Sequence, residues 1–331
     1  MRVTKQAAGS LVGCVLLLFA AGASSAAGAS AAGKDPAGVR TGPLTWSGPS
    51  HVDDVGGLSS VSCPTLHFCE AVDGQGHAFR WGGGGWGQPK VVDTNPGGSD
   101  LNSSLDSISC TDPSFCIAVD QGGAALRWDG SGWTKPVSLY ENQYLNWTAV
   151  SCATRTACLV VGDASDFGWW DGRRWTVETV GNGLQFSSVS CPNAHFCMAV
   201  SGDDALTWNG SKWVSAVDVD PTGVTTLYSV SCPTTRFCMA AGGEVYIWDG
   251  GSWEQTSQGG LEAVSCAGPR LCVGVDSSGD AIVWDAGRWL PAAQVDPAGA
   301  ELGNLSITVT CNRFELCAAV SAAGNAEIAR A

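Results

Sequence analysis

The sequence predicts an all-β protein, a seven-bladed β-propeller, and three observations carry that expectation. A cysteine phrase recurs seven times: LSSVSCPTLHFCEAV, LDSISCTDPSFCIAV, WTAVSCATRTACLVV, FSSVSCPNAHFCMAV, LYSVSCPTTRFCMAA, LEAVSCAGPRLCVGV and the more divergent ITVTCNRFELCAAV. After each of the first six comes a tryptophan pair five positions apart: WGGGGW, WDGSGW, WDGRRW, WNGSKW, WDGGSW and WDAGRW. The seventh unit stops at GNAEIARA, and LTWSGPSHVD around Trp46, ahead of the first cysteine pair, resembles the strand it lacks. A unit of about 41 residues read seven times suits a ring of blades. An open solenoid would need polar caps at both ends, whereas these two ends complement each other.

The first element is an export signal. Arg2 and Lys5 precede an apolar run from Leu11 to Ala21, and A-x-A cleavage frames follow at Ala27 to Ala29 and Ala29 to Ala31. Residues 1–31 therefore read as a secretory signal peptide. LVGC at Leu11 to Cys14 matches a lipoprotein box, but there the cysteine should close the apolar run, and here VLLLFAAGA continues past it. No other stretch reaches the ~18 apolar residues of a spanning helix, so an extracellular chain without membrane insertion is expected. Residues 32–41 read as a flexible linker and 42–331 as one propeller domain.

Each repeat then resolves into four short strands. SVSC forms the first and FCxAV the second, a Gly/Asp turn such as VDGQG or VDSSG follows, and xAxxW forms the third. A D-G or N-G turn leads to a fourth strand such as WTKPVSL and then to a Gly/Pro/Asp-rich connection. No helical periodicity competes with this reading.

In an exported chain cysteines pair. Apart from Cys14, all are accounted for by Cys63 with Cys69, Cys110 with Cys116, Cys152 with Cys158, Cys191 with Cys197, Cys232 with Cys238, Cys266 with Cys272 and Cys311 with Cys317. Each pair is expected to be a disulfide across a tight hairpin, stabilising it by roughly 2 kcal/mol. A zinc site needs four ligands brought together, and one hairpin brings two. No CxxC in a thioredoxin-like context is present. Neither a metal nor a cofactor is expected.

The SVSCPxxxFCxAV…WDGxxW repeat resembles that of secreted, disulfide-stapled seven-bladed propellers of actinobacteria, and among them the lectin subunits of umbrella toxin particles. The resemblance covers essentially the whole mature chain. It implies a glycan-targeting subunit joined to a protein adaptor within a larger exported antibacterial assembly. WD40 repeats also carry a WD dipeptide, but Asp129, Asp171, Asp249 and Asp285 are explained by hairpin-turn chemistry. Sialidase Asp boxes need a leading serine and a spacing that VDGQGHAFRW lacks.

Catalysis is not expected. The serines recur in SVSC, where strand alternation accounts for them, and no G-x-S-x-G elbow is present. A glycosidase needs two carboxylates about 5 to 10 Å apart, and most acids here fall at repeated turn positions or in connections. The net charge of −14 disfavours nucleic acid and anionic lipid, leaving neutral ligands such as cell-surface or polymeric glycans, and proteins.

Thirteen of the fifteen tryptophans belong to the paired signature or to Trp46 and are expected to wedge between blades. Trp147 occupies the slot of Leu58, Leu105, Phe186 and Leu261 and should be core. Trp169 stands in a slot held elsewhere by Arg80, Arg127, Thr207, Ile247 and Val283, so packing and ligand contact are both open to it. With Asp171 and the Arg173-Arg174 pair it forms the candidate ligand patch. His67 and His195 read as solvated turn residues.

Overall fold

The computed structural model describes residues 44–54, 57–94, 104–139, 146–181, 183–223, 225–298, 306–313 and 316–330. The segments expected to be a signal peptide and a linker, with Cys14, lie outside the described residues.

Seven antiparallel sheets form the seven blades. Blades 1 to 6 span residues 58–91, 105–138, 147–179, 186–218, 227–259 and 263–294. Blade 7 combines residues 307–330 with the N-terminal strands Thr45–Trp46 and Ser50–His51, both paired with Asn325–Arg330. Trp46 lies opposite Ala329 as Trp133 lies opposite Trp128, so the N-terminal segment supplies the missing outer strand. The first strands touch one another around the ring, including Ile307–Cys311 against Leu58–Thr65.

The second strand of each blade is mostly apolar because neighbouring blades cover both its faces; Phe68–Asp73 and Phe115–Asp120 are buried along their whole length, the carboxylates Glu70, Asp73 and Asp120 included. The core is accordingly divided into seven seams, each joining two adjacent blades. The seam between blades 1 and 2, for example, contains Val72, Ala78, Leu105, Ile108, Leu126 and Trp128. The seam that closes the ring joins Leu58, Phe79 and Trp81 to Leu316, Ala318 and Val320. Trp147 is fully buried, as its slot predicts.

All seven disulfides link the expected neighbours, with Cα atoms 3.9 to 4.1 Å apart. That separation suits residues facing each other across an antiparallel pair. Covalent staples of this kind require an oxidising environment to form and persist. No described helix is long and apolar enough to cross a membrane.

The recurring serines do more than alternate along a strand. Ser60 Oγ accepts the Ile108 N–H and Ser62 Oγ accepts the Cys110 N–H of the next blade. Ser107 and Ser109 bind Val150 and Cys152 likewise, Ser188 and Ser190 bind Val230 and Cys232, and Ser229 and Ser231 bind Val264 and Cys266. The first strand of a blade is a sheet edge whose outward N–H groups need partners. Hydroxyls from the preceding blade provide them.

The two ends of the blades differ in chemistry. One end, here the cysteine end, carries the turns between paired cysteines and between paired tryptophans. The other, the aspartate end, carries the Gly/Asp turns and the connections between blades. There Val295 and Asp296 both donate their N–H groups to the Gly279 carbonyl, and Val52 and Asp53 do the same to Gly324. Gly279 and Gly324 have φ of 82° and 77°, and a Cβ on either would stand about 2 Å from the facing carbonyl oxygen of Asp296 or Asp53. Only glycine fits these positions.

Candidate functional site

Among blades 1 to 6, blade 3 departs most from the repeat in its third strand. Its third strand, Asp166–Trp170, reads DFGWW, so Gly168 stands where Phe79, Leu126, Leu206, Tyr246 and Ile282 stand in other blades. A Cβ at 168 would come within 3.1 Å of Val160 and 3.3 Å of Val177, which close over the glycine on the side facing blade 2. The bulk has moved to the opposite face, where Phe167 and Trp169 point at blade 4. Trp169 stacks on Phe167 with ring centroids 6.0 Å apart and tilts against Trp208 at 5.6 Å. It belongs to the seam with Phe186, Leu206 and Trp213. A packing demand local to blade 3 therefore accounts for an aromatic in this slot, although no other blade shares it.

The candidate patch is divided by the blade. Trp169 and Asp171 border a small cavity of about 250 Å³ shared with His195, Trp208 and Gly210. Arg173 lies on the other side, in a cleft of about 540 Å³ between blades 2 and 3. Trp170 walls both spaces. Asp171 Oδ1 accepts the backbone N–H groups of Arg173 and Arg174 at 2.8 and 2.9 Å. Those backbone bonds, Arg174 first, hold its carboxyl below the usual carboxylate range. Asp171 thus shapes its turn and stays ionised; His67 and His195 are exposed.

The larger cleft has the features of a binding site. Trp170 and Trp175 lie 5.6 Å apart, both half-buried, and Trp170 Nε1 donates to the Arg155 carbonyl. Val137 is 55% exposed in the facing wall, where a core valine would be covered. Thr134 and Ser138 add hydroxyls, and Arg127, Arg173 and Arg174 add guanidinium groups.

Arg127 shows what distinguishes this cleft from the seam beside it. In blade 1 the corresponding Arg80 donates to Glu70 at 2.8 Å and lies 4.0 Å over the Trp128 ring, sealing blades 1 and 2 together. Glu70 is 2% exposed, and burial raises its pKa against the pull of Arg80. In blade 2 the residue opposite Arg127 is Ile117, so this guanidinium has no such carboxylate and stands 6.0 Å from the Trp170 ring. Neither Arg127 nor Trp175 was singled out by sequence reasoning. Aligning FCEAV…FRW with FCIAV…LRW reveals the lost glutamate, provided the cross-strand register is known.

No protein-family model matches the chain, and no curated protein sequence matches it. Among solved structures it is similar to one described as YCF48 bound to D1 peptide, with 14% identity over 88% of this chain and 98% of that chain and a TM-score of 0.65. It is also similar to the WD40 β-propeller domain of Doa1, with 11% identity over 86% and 96% and a TM-score of 0.69. At such identities the likeness establishes the propeller fold alone.

Proposed function

We propose that this chain is an exported, non-catalytic carbohydrate-binding propeller whose ligand sits in the cleft between blades 2 and 3. The observation that carries this reading is the pair of half-buried rings, Trp170 and Trp175, bordering an open 540 Å³ space alongside hydroxyls and guanidinium groups. Aromatic faces stack on the apolar faces of sugars, while polar groups at the rim bind hydroxyls. The resemblance of the repeat to lectin subunits of secreted toxin particles supports the same reading, and with it a protein adaptor and an antibacterial assembly. A shallow site of this kind binds one sugar weakly, with Kd on the order of millimolar. Several copies held together multiply that affinity without new contacts.

A second reading, peptide docking, draws on the similarity to a propeller solved with a peptide. A glycan array together with cell-wall pull-down separates the two. The lectin reading expects polymeric glycans to bind far better than free monosaccharides, and Trp175→Ala to reduce binding at least about tenfold. Absence of signal on every glycan hands the cleft to a peptide.

A further inference from the structure

The sum of charges hides a separation along the blades. The chain carries −14 overall, yet Arg155, Arg173, Arg174, Lys212, Arg236, Arg270, Arg288 and Arg330 all lie at the cysteine end. At the aspartate end Lys90 is the only lysine or arginine among the described residues. The same end carries Asp73, Asp106, Asp163, Asp203, Asp204, Asp218, Glu244 and Asp276, among others. A ligand approaching the cysteine end meets a local field that the net charge does not describe.

From that end the cleft between blades 2 and 3 runs along the outer strand of blade 2, and it concentrates cations. Arg127 has no ion-pair partner among the described residues. Arg173 has none either, its backbone N–H being bound by Asp171 while its guanidinium is exposed. Arg174 reaches Asp171 only at 3.7 Å. The carboxylates nearby are turned into their own hairpins: Asp129 accepts from Ser131 and Gly132, and Asp171 accepts from the two arginine N–H groups. Arg127 and Arg173 therefore share a cleft with two indole rings without a salt bridge to any described carboxylate, Asp129 and Asp171 acting on them only through the attraction of nearby charge, while Arg174 is the one of the three that pairs with Asp171.

We infer that the cleft selects an anionic sugar: a ring stacked on Trp170 and Trp175 whose carboxylate, sulfate or phosphate group is bound by Arg127 with Arg173. This rests on the carbohydrate reading and adds the class of sugar. A guanidinium presents parallel N–H donors that match such oxyanions in a bidentate manner, and beside an indole face it is partly desolvated, which strengthens the bond. A neutral sugar would leave the Arg127 charge unanswered. The comparison with blade 1 gives the logic of selection. Where Glu70 is present the arginine closes a seam; where Ile117 replaces it the same arginine remains available.

The test measures retention of the protein on immobilised polygalacturonate, heparin, a phosphate-bearing glycopolymer, neutral galactan and poly-glutamate at fixed ionic strength. Tighter retention on at least one anionic polysaccharide than on galactan is expected, and comparing the three identifies the oxyanion. Arg127→Gln should lower that retention at least about tenfold. Arg236→Gln removes an equal charge from the same end outside the cleft and should lower it less than about twofold. Ile117→Glu, which recreates the carboxylate of blade 1 beside Arg127, should also suppress retention, with melting curves confirming that each variant folds. Equal losses for Arg127→Gln and Arg236→Gln would mean generic charge attraction and overturn the inference. Retention on galactan equal to that on the polyanions and indifferent to Arg127 would overturn the anionic preference but keep a lectin. Retention on poly-glutamate with none on any polysaccharide would remove the carbohydrate reading itself.

Discussion

At the cysteine end of the blades the turn carboxylates Asp112, Asp129, Asp171 and Asp249 meet donors; at the aspartate end several acids are buried with too few. Against the desolvation that would raise it, Arg155 and Ser114 hold Asp112 at about 2. Hydrogen bonds from Ser131, side chain first, hold Asp129 at about 2. At the other end burial dominates. It raises Asp106 to about 6, raises Asp120, which faces Asp93, to about 7, and raises Glu327, beside Asp296, to about 8. Asp220 is held low there by the hydroxyl and N–H of Thr222, and the fully buried Asp73 and Asp296 also have several donors each. The same repeat thus builds one end from staples and satisfied turns, and the other from buried acids whose protonation belongs to the fold. An end rich in exposed cations and open clefts is suited to ligands, and an end of internal carboxylates is suited to joining blades.

The comparison can be broken most severely where both ends depend on one segment. Removing residues 44–54 strips blade 7 of its outer strand along its whole length and leaves an edge unpaired. Loss of a cooperative melting transition is expected, whereas removing a surface loop of equal length should lower Tm by only a few degrees. Similar Tm values for the two deletions would show that Trp46 does not seal the ring.

Next in size is Asp296→Ala at the aspartate end. This fully buried carboxylate accepts from Ser321 at 2.5 Å, Asn325 at 3.0 Å and the Ala298 N–H at 2.9 Å, tying the connection after blade 6 to blade 7. Its removal should cost about 3 kcal/mol, read by urea denaturation. A cost below about 1 kcal/mol would mean that these bonds merely replace equivalent ones to water.

The acids with raised pKa predict the direction of pH dependence. Each binds its proton more tightly folded than unfolded, so its contribution is complete below the ordinary carboxylate pKa near 4 and is lost as pH rises through about 6, 7 and 8. Tm should therefore fall between pH 5 and pH 8. Glu327→Gln should flatten the alkaline part of that fall. A flat Tm across this window would mean that water reaches Glu327.

The smallest effect belongs to the staples. Replacing Cys232 and Cys238 together by serine removes one hairpin closure, worth about 2 kcal/mol at most. Its pH profile should run parallel to that of the unaltered protein. A changed slope would show that the two ends do not act separately.

The residues that repeat were legible. Strand order, disulfide partners and the complementing role of Trp46 follow from aligning the chain with itself, because a propeller reuses one local solution at every blade. What depends on the neighbouring blade was hidden. SVSC displays its serines, but nothing in one strand indicates that Ser109 reaches the Cys152 N–H across a seam. Trp169 was legible as unusual and not as packed, since its partner Trp208 belongs to blade 4 and its room derives from Gly168. Trp169→Ala should accordingly lower Tm, where a purely ligand-facing ring would leave it unchanged. Glu327 carried a signal that was overlooked: NAEIAR places a carboxylate in the slot of Phe79, and the structure leaves both its oxygens without a hydrogen-bond partner among the described residues.

The serine hydroxyls that receive N–H groups from the next blade have a consequence for how the ring breathes. The amides of Ile108, Cys110, Val150, Cys152, Val230, Cys232, Val264 and Cys266 are held by no strand ladder on that side. Their protons exchange with deuterium only when two blades part or when a blade unfolds, whereas ladder amides such as those of Leu159 and Val160 require the blade itself to open. Exchange rates at these positions, read pair by pair, therefore form separate gauges of the seams between blades 1 and 2, 2 and 3, 4 and 5, and 5 and 6. A ligand wedged between blades 2 and 3 would register as slowed exchange at Val150 and Cys152 while the other seams kept their pace.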